Sequence, residues 1–172
     1  MDNISKIQFF YVDPNYISYL QTVDPHVPNV IYLGRHKKML CGAVFKLNGV
    51  SYYAPLSHKT VSSSFSFIIR GERNEPIASL RTQYMIPVPE SVLSKVDIVQ
   101  LMKDDIKYGD LVLREYRFCN RPGNVGAILK KAEKAYRAAQ KMDNNSNCHC
   151  CNFAALEAAM QKYQLSEAGD NL

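Results

Sequence analysis

The sequence predicts an α+β fold in which an antiparallel sheet forms from the first half of the chain and helices follow it. β-branched and aromatic runs separated by turn residues fill the stretch up to residue 86, a pattern typical of strands. Asn48-Gly49 lies between two such runs, and Asn-Gly is the strongest short-range hairpin signal because both turn residues need positive φ. After Pro87 and Pro89 the apolar residues recur at the helical period instead. Strands followed by helices indicate the α+β class.

The first half contains five candidate strands and one short helix. Asp13 as N-cap and Pro14 at the first helical position start this helix, and Tyr16, Leu20 and Val23 are expected to face the core. The strands are predicted at residues 7–12, 40–47, 50–56, 65–69 and 79–86, with residues 71–76 as the turn between the last two.

The second half begins with a single helical turn predicted at residues 90–93. Gly109 is expected to separate two helices, at residues 97–103 and 110–119. The longest helix is predicted at residues 124–142, with its apolar residues on one side at about 100° per residue. The last is predicted at residues 153–163, following Asn152 as N-cap.

Length and charge limit the classes of protein that this chain can belong to. At 172 residues it is long enough to form its own core, and we expect one domain spanning residues 1–172. The net charge of +5 favours an anionic partner without choosing among nucleic acid, a membrane and an acidic protein. No apolar run approaches the roughly 18 residues of a spanning helix, and residues 1–6 do not open a signal peptide. The sequence therefore predicts a cytoplasmic protein without a membrane partner.

The cysteines and acids give little support to a metal site. Five cysteines are an odd number in a chain that does not need disulfides, so we expect reduced thiols. Only Cys148 and Cys151 have the spacing of a zinc-binding pair, and a structural site normally uses two pairs. Asp104 and Asp105 are adjacent and point about 100° apart on a helix, which does not favour a metal-dependent nuclease. We expect no required metal and no cofactor; a zinc-dependent protein built on residues 148–151 remains an alternative.

Ser57, His58 and Lys59 are the residues most suggestive of chemistry. They follow a predicted strand that ends near Pro55 and place a hydroxyl, a near-neutral proton carrier and a cation at one loop. RNA transesterification needs a proton taken from the attacking 2′-hydroxyl, a proton given to the leaving oxygen, and positive charge on the phosphate. The alternative, in which Ser57 shapes a turn and the other two side chains are simply exposed, remains open.

Two groups of basic residues are candidates for binding RNA. One is a stripe of four cations opposite the apolar face of the longest predicted helix, with Glu133 as the only acid nearby. Such a stripe suits a phosphate backbone, although a solvated helix face is the alternative. The other mixes arginines with Tyr116 and Phe118, whose rings can stack bases, although we expect Phe118 to be partly core. The predicted RNA-binding residues are Arg35, Lys37, Arg81, Arg114, Arg117, Arg121, Lys130, Lys134, Arg137 and Lys141.

Several segments form a recognisable pattern, in order, over nearly the whole chain. They are Tyr11 in the first strand, Lys38 a few residues before Gly42, Tyr53-Ala54-Pro55-Leu56-Ser57, Leu80 with Tyr84-Met85-Ile86-Pro87-Val88, and Cys151-Asn152-Phe153 with Leu156-Glu157. In this combination the chain resembles the ToxN/AbiQ family of type III toxin–antitoxin endoribonucleases.

The resemblance implies a Kid/MazF-like, SH3-like barrel sheet that is twisted and mostly antiparallel, with several added helices. It implies metal-independent RNA cleavage that leaves a 2′,3′-cyclic phosphate and a 5′-hydroxyl, in the service of abortive infection and phage defence. The implied partner is a repeated antitoxin RNA, folded as a pseudoknot, which the toxin processes and which inhibits it in closed rings of protein and RNA.

The family's site residues carry over position by position. Ser57 matches a position held by Thr or Ser, and Lys38 matches an active-site lysine by its distance from Gly42. Lys59 matches a second lysine with a spacing one residue shorter, and Tyr32 stands for a tyrosine that precedes the first lysine. His58 falls where another small hydroxyl is expected, and we hypothesise that it has taken a proton-transfer role.

The sequence therefore predicts a sequence-selective, metal-independent endoribonuclease toxin. Its predicted catalytic residues are Ser57, His58, Lys38, Lys59 and Tyr32. The main alternative is a non-catalytic basic RNA-binding module, in which the arginines and the lysine stripe bind RNA and the loop residues are incidental.

Overall fold

The computed structural model describes residues 4–29, 40–141 and 149–169. The strands are β1 (Gln8–Val12), β2 (Leu40–Leu47), β3 (Val50–Ser57), β4 (Ser66–Arg70), β5 (Pro76–Arg81), β6 (Ile86–Pro87) and β7 (Leu93–Lys95). The helices are α1 (Pro14–Val23), α2 (Ile98–Asp104), α3 (Ile106–Cys119), α4 (Asn124–Gln140) and α5 (Phe153–Gly169).

The strands form one sheet in the order β4-β5-β3-β2-β1-β7, with β6 pairing with β3 off this path. Every pairing between these strands is antiparallel. β3 is the centre of the sheet because it pairs with β2, β5 and β6. The predicted α+β class, with a mostly antiparallel sheet and added helices, is confirmed.

The Asn-Gly hairpin between β2 and β3 is confirmed. Asn48 has φ of 49° and Gly49 has φ of 81°, so both turn residues adopt the left-handed conformation that this dipeptide tolerates. Gly42 in β2 has a different reason to be glycine. A Cβ built there would lie 1.8 Å from Cδ1 of the buried Tyr53 ring, so the ring packs directly on the β2 backbone.

Helix α1 begins as predicted, because the Asp13 side chain accepts a hydrogen bond from a backbone N–H of the first turn. Tyr16 and Leu20 are fully buried, as expected. Val23 is 40% exposed, so its predicted place in the core was wrong. Ile17 is the third buried residue of α1 instead. Val23 is the last residue of the helix.

The single strand predicted at residues 79–86 was wrong in detail. The chain forms β5, then a 3₁₀ turn at Thr82–Tyr84, then β6. The buried Thr82 hydroxyl lies within hydrogen-bond distance of the carbonyls of Phe65 (2.6 Å) and Lys131 (3.2 Å). One contact is to the residue that precedes β4 and the other is to α4, and together they fix the turn. No local sequence signal specifies these contacts.

The prediction that Gly109 separates two helices was wrong, because Gly109 lies inside α3. That helix starts earlier because Asp105 is its N-cap and accepts from the backbone N–H of Tyr108. A Cβ at Gly109 would lie 2.5 Å from the backbone nitrogen of Met102 in α2. The glycine therefore allows α2 and α3 to pack closely, and the break between the helices falls at Asp105.

The helices pack against different parts of the sheet. α3 packs on β4, α4 packs on β2 and the 3₁₀ turn, and α5 packs on β6 and α1. Between α4, α5 and β3, the hydroxyls of Tyr52 and Tyr136 both donate to Oε1 of Glu157, which ties the three elements together. α5 begins after Asn152, whose side chain accepts from the backbone N–H of Ala155, so this predicted N-cap is confirmed.

The cysteines differ from the expectation of reduced thiols. Cys119 and Cys151 are free and buried, and burial raises the pKa of the Cys151 thiol. Cys150 is disulfide-bonded, so the expectation was wrong for this residue, and Cys148 lies outside the described residues. Within the described ranges, no group of three or more His, Cys, Asp or Glu side chains has the arrangement of a metal site. None of the described helices is long and apolar enough to cross a bilayer.

Candidate active site and RNA-binding surface

The loop that follows β3 is held in place by two serine hydroxyls. Ser57 is the last residue of β3 and pairs with Ser79 of β5. The backbone N–H of Lys59 donates to Ser57 Oγ (3.2 Å), and Ser79 Oγ donates to the Lys59 carbonyl (2.7 Å). Ser57 therefore shapes the turn, as in the alternative to a catalytic role that the sequence left open. In this contact its hydroxyl oxygen only accepts a hydrogen bond. The backbone on both sides of His58 is fixed, and the side chains of His58 and Lys59 are exposed.

His58 contacts a buried acid on α3. Its Nε2 lies 3.3 Å from Oε1 of Glu115, and the side chains are 56% and 0% exposed, respectively. This separation is an ion-pair distance, but the ring N–H is not aligned for a hydrogen bond. Within the described part of the chain, neither carboxylate oxygen of Glu115 therefore has a hydrogen-bond partner.

The Glu115 carboxylate raises the pKa of His58 above its usual value of 6.5. The largest cause is the close polar contact of the ring with the carboxylate, desolvation opposes it, and charge attraction adds to it. The imidazolium form therefore persists to higher pH than it does in a free histidine. A group that holds its proton in this way is suited to donate it.

Glu115 is the functional candidate that the sequence analysis missed. It lies within the run of arginines and aromatics that the sequence suggested for RNA binding. On α3 it lies on the buried stripe formed by Gly109, Val112 and Cys119, at the spacing of one helix face. An acid on an otherwise apolar stripe was therefore the available signal, since a charge in a core needs a partner.

Tyr108 interacts electrostatically with the buried acid, and Tyr11 interacts with Tyr108. The pKa of Tyr108 on α3 is raised, first by burial and then by the charges of Tyr11 and Glu115. Burial also raises the pKa of Tyr11 on β1. The structure thus brings together β1, α3 and the loop after β3 around Glu115, and both phenols stay neutral at physiological pH.

Four predicted residues fall outside the described residues: Tyr32, Lys38, Arg35 and Lys37. Their assignment stays a prediction. Of the predicted catalytic set, the structure brings Ser57, His58 and Lys59 together at one loop.

The basic stripe on α4 lines a concave surface. Its residues, with Glu133 and Ala138, border an open space of ≈ 470 Å³ between side chains on this one helix face, which we call the α4 groove. Arg137 forms an ion pair with Glu133 one turn away, so one of the four cations is partly neutralised. The remaining stripe residues are Lys130, Lys134 and Lys141.

The groove is physically connected to the candidate catalytic loop. The Lys134 ammonium lies 5.7 Å from the centroid of the Phe65 ring, and Lys131 Nζ donates to the Ser64 carbonyl (3.3 Å). Seven residues of chain lead from His58 to Phe65, and they can span at most about 25 Å. A single RNA strand is long enough to occupy both the groove and the loop.

The predicted RNA-binding arginines have different surroundings. Arg81 lies over the Tyr84 ring at 4.5 Å, and its Nε is buried without a hydrogen-bond partner among the described residues. Arg114 forms an ion pair with Asp110 at 2.9 Å. Arg117 and Arg121 are exposed.

Of the two rings proposed to stack bases, Phe118 is partly buried. It packs against Phe67 with ring centroids 6.1 Å apart, as expected for a residue of the core. Tyr116 is also partly buried, packs edge-on against Phe9, and has the Lys6 ammonium 5.6 Å from its ring centroid.

Comparison with known proteins identifies the chain as an endoribonuclease toxin. The sequence model described as Toxin ToxN, type III toxin–antitoxin system, matches residues 8–161. The chain therefore belongs to the ToxN toxin family, and the predicted endoribonuclease toxin class is confirmed.

Two curated relatives illustrate the similarity. Endoribonuclease ToxN from Bacillus thuringiensis subsp. kurstaki is 30% identical over 173 residues, covering 95% of this chain and 88% of the relative. Endoribonuclease AbiQ from Lactococcus lactis subsp. lactis is 26% identical over 171 residues, covering 91% and 89%. These matches span nearly the full length of both partners.

Solved structures share the fold. One, from work on selective toxin inhibition by a non-coding RNA pseudoknot in bacterial type III systems, has a TM-score of 0.83 at 28% identity, covering 92% of this chain and 98% of its own. AbiQ, described as a lactococcal anti-phage endoribonuclease, has a TM-score of 0.77 at 23% identity, covering 92% and 98%. A third, from work on a processed non-coding RNA that regulates a bacterial antiviral system, has a TM-score of 0.76 at 25% identity, covering 90% and 97%.

Proposed function

We propose that residues 1–172 act as one domain that cleaves RNA without a metal ion, at selected sequences. The 2′-oxygen attacks the adjacent phosphorus and the bond to the 5′-oxygen breaks, leaving a 2′,3′-cyclic phosphate and a 5′-hydroxyl. The observation that carries this proposal is the loop after β3, where Ser57, His58 and Lys59 stand together and His58 contacts the buried Glu115. These groups supply the proton transfer and positive charge that the reaction requires.

Each loop residue has a role in this proposal. His58 transfers a proton, Ser57 orients the ribose or phosphate, and Lys59 stabilises the charge that builds on the phosphorane. Lys38 is assigned to the same charge and Tyr32 to positioning the base or phosphate, as the family pattern implies. Removal of one stabilising donor of this kind typically reduces the rate by about 10²–10³-fold.

The α4 groove is proposed to hold the RNA backbone on its way to the loop. Its cations and the chain that joins Phe65 to His58 support this path. Because each neutralised phosphate of a single strand contributes a slope of about −0.7 to log K against log salt, Lys134→Ala should flatten that slope by about 0.7. Lys162→Ala, which removes an exposed lysine on α5, is the matched control and should leave the slope unchanged. An equal change in both variants would show a general charge effect and argue against the groove.

The regulating partner is proposed to be a repeated antitoxin RNA folded as a pseudoknot. The toxin would process this RNA, be inhibited by it, and form closed protein–RNA rings with it. Support comes from the similar structures, one of which concerns toxin inhibition by an RNA pseudoknot and another a processed non-coding RNA. In this proposal the free toxin acts on cellular or phage RNA in the cytoplasm and needs no membrane partner.

Cleavage in EDTA tests the proposed chemistry. Purified protein freed of bound RNA is incubated with a defined single-stranded RNA, and the ends are identified by mass spectrometry. Discrete cuts with 2′,3′-cyclic phosphate ends are expected, and they should disappear in His58→Ala and in Lys59→Ala. Tight RNA binding without cutting across varied sequences would instead favour a non-catalytic RNA-binding module. Growth arrest on expression without the antitoxin RNA, lost in His58→Ala at matched protein level, provides the corresponding cellular measurement.

A further inference from the structure

Glu115 is a buried ionisable group to which the family pattern assigns no role. Its side chain is fully buried, and its contact with an ionisable partner is the 3.3 Å approach to His58 Nε2. A buried carboxylate with no hydrogen bond is strongly unfavourable. This fold places the Glu115 carboxylate beside the half-exposed His58 imidazole, where its negative charge can stabilise a positive charge on the ring.

We propose that Glu115 is a positioning residue that keeps His58 as an imidazolium with its Nε2–H at the ion pair and its other N–H directed outward, so that His58 is the general acid. This inference rests on the proposed function and assigns the direction of one proton transfer within it. The 2′-hydroxyl gives its proton to a solvent hydroxide, and its oxygen forms the new bond to phosphorus. The electron pair of the breaking bond goes to the 5′-oxygen, which takes the imidazolium proton. Solvent then protonates the neutral His58 again.

The surroundings of the His58–Glu115 dyad are consistent with a stable imidazolium. Tyr108 from α3 interacts electrostatically with Glu115 and with Tyr11 from β1, and the raised pKa values of both tyrosines keep them neutral. Lys59 from the same loop is exposed, so water screens its repulsion of the imidazolium. Arg114, the residue before Glu115 on α3, forms an ion pair with Asp110 at 2.9 Å. Glu115 is thus the anion that contacts the imidazole.

A substrate with sulfur in place of the bridging 5′-oxygen at the mapped cleavage site tests the assignment. A thiolate leaves without protonation, so a general acid is not needed for it. On the ordinary substrate, His58→Ala should lose about 10²–10³-fold in rate, within the usual range for a positioned acid. Glu115→Gln should lose about 10-fold or more at neutral pH. On the sulfur substrate, both variants should cleave within a few-fold of the unmodified protein.

The pH profile separates positioning from mere structural support. Because hydroxide takes the 2′-hydroxyl proton, the rate should rise with pH while His58 is protonated and become level above its pKa. This level limb should begin at lower pH in Glu115→Gln. Asp104→Asn, which removes an exposed acid at the end of α2, is the control and should leave the limb in place. A persistent defect of His58→Ala on the sulfur substrate, or an unshifted limb in Glu115→Gln, would overturn the assignment.

Two further measurements keep the result interpretable. Cleavage of the sulfur substrate by Glu115→Gln itself reports that the variant is folded. If that variant does not fold, the NMR titration of His58 in catalytically silent Lys59→Ala protein replaces it, and a midpoint at or below about 6.5 would count against the dyad. Failure of the unmodified protein to cut the ordinary substrate in EDTA would instead refute the proposed function, which distinguishes the two failures.

Discussion

Gly42→Ala is expected to destabilise the fold by displacing one aromatic ring. A Cβ at this position would lie 1.8 Å from Cδ1 and 2.0 Å from Cε1 of Tyr53. Ordinary contact begins at 3.4 Å, so the ring must move by roughly 1.6 Å. Tyr53 is only 6% exposed and packs edge-on against Phe10 at 5.5 Å, which leaves it little room to move.

The expected loss is about 3 kcal/mol, the upper part of the range for inserting a methyl group into a packed core. Urea unfolding measures it. With a slope of about 2 kcal/mol per molar urea, the midpoint should fall by about 1.5 M. The measurements are made in a Lys59→Ala background so that the protein can be produced without arresting its host.

Two controls make this reasoning refutable. Gly126→Ala adds a methyl group on α4 where no atom lies within 4 Å, and it should stabilise the protein by about 0.5–1 kcal/mol through helix propensity. In a Tyr53→Val background, the loss from Gly42→Ala should vanish or change sign, because the ring that it strikes is gone. A loss of the same size with and without the ring would show that the clash is not the cause.

Three further outcomes follow from the described contacts. The unfolding free energy of the protein relative to Glu115→Gln should be largest below about pH 6.5 and fall as pH rises through the raised pKa of His58, because a raised folded-state pKa favours the protonated native form; urea titrations from pH 5.5 to 9 measure it, and a flat difference would contradict the ion pair. Tyr136→Phe removes a hydroxyl that donates to Glu157 at 2.9 Å and should lower stability by about 1.5 kcal/mol, whereas an unchanged unfolding midpoint would mean that the bond contributes nothing. Cys151 should resist alkylation at pH 8 in the native protein and react after unfolding, since burial raises the pKa of its thiol; modification of the native thiol, detected by peptide mass spectrometry, would show that the site opens.

Local sequence signals predicted the parts of the fold that local chemistry determines. The Asn48-Gly49 turn, the Asp13 cap and the Asn152 cap depend on residues a few positions apart, and each is confirmed. The turn at Thr82 depends on a contact with α4, which no window of neighbouring residues contains. A glycine such as Gly109 is typical of a helix break. Here the residue is glycine because the backbone of Met102 lies too close for a side chain.

In the candidate site, too, the sequence predicted what neighbouring residues determine and not what long-range packing determines. Ser57, His58 and Lys59 were found together because they are consecutive, and the hairpin that presents them is predictable. Glu115 was missed because its role exists only once α3 has packed on the sheet. A charged residue at an apolar helix position was visible in the sequence, but its partner on another element was not.

The long separation between the two halves of the dyad has a consequence for how this protein is made. His58 follows β3, whereas Glu115 lies near the end of α3, so a ribosome must synthesise and release both before they can meet. Contacts between distant segments form late because closing a long loop is entropically unfavourable. A nascent or truncated chain that ends before α3 therefore lacks the acid that is proposed to keep His58 protonated. If the proposed dyad is required, the activity of this toxin depends on a chain that extends at least through α3.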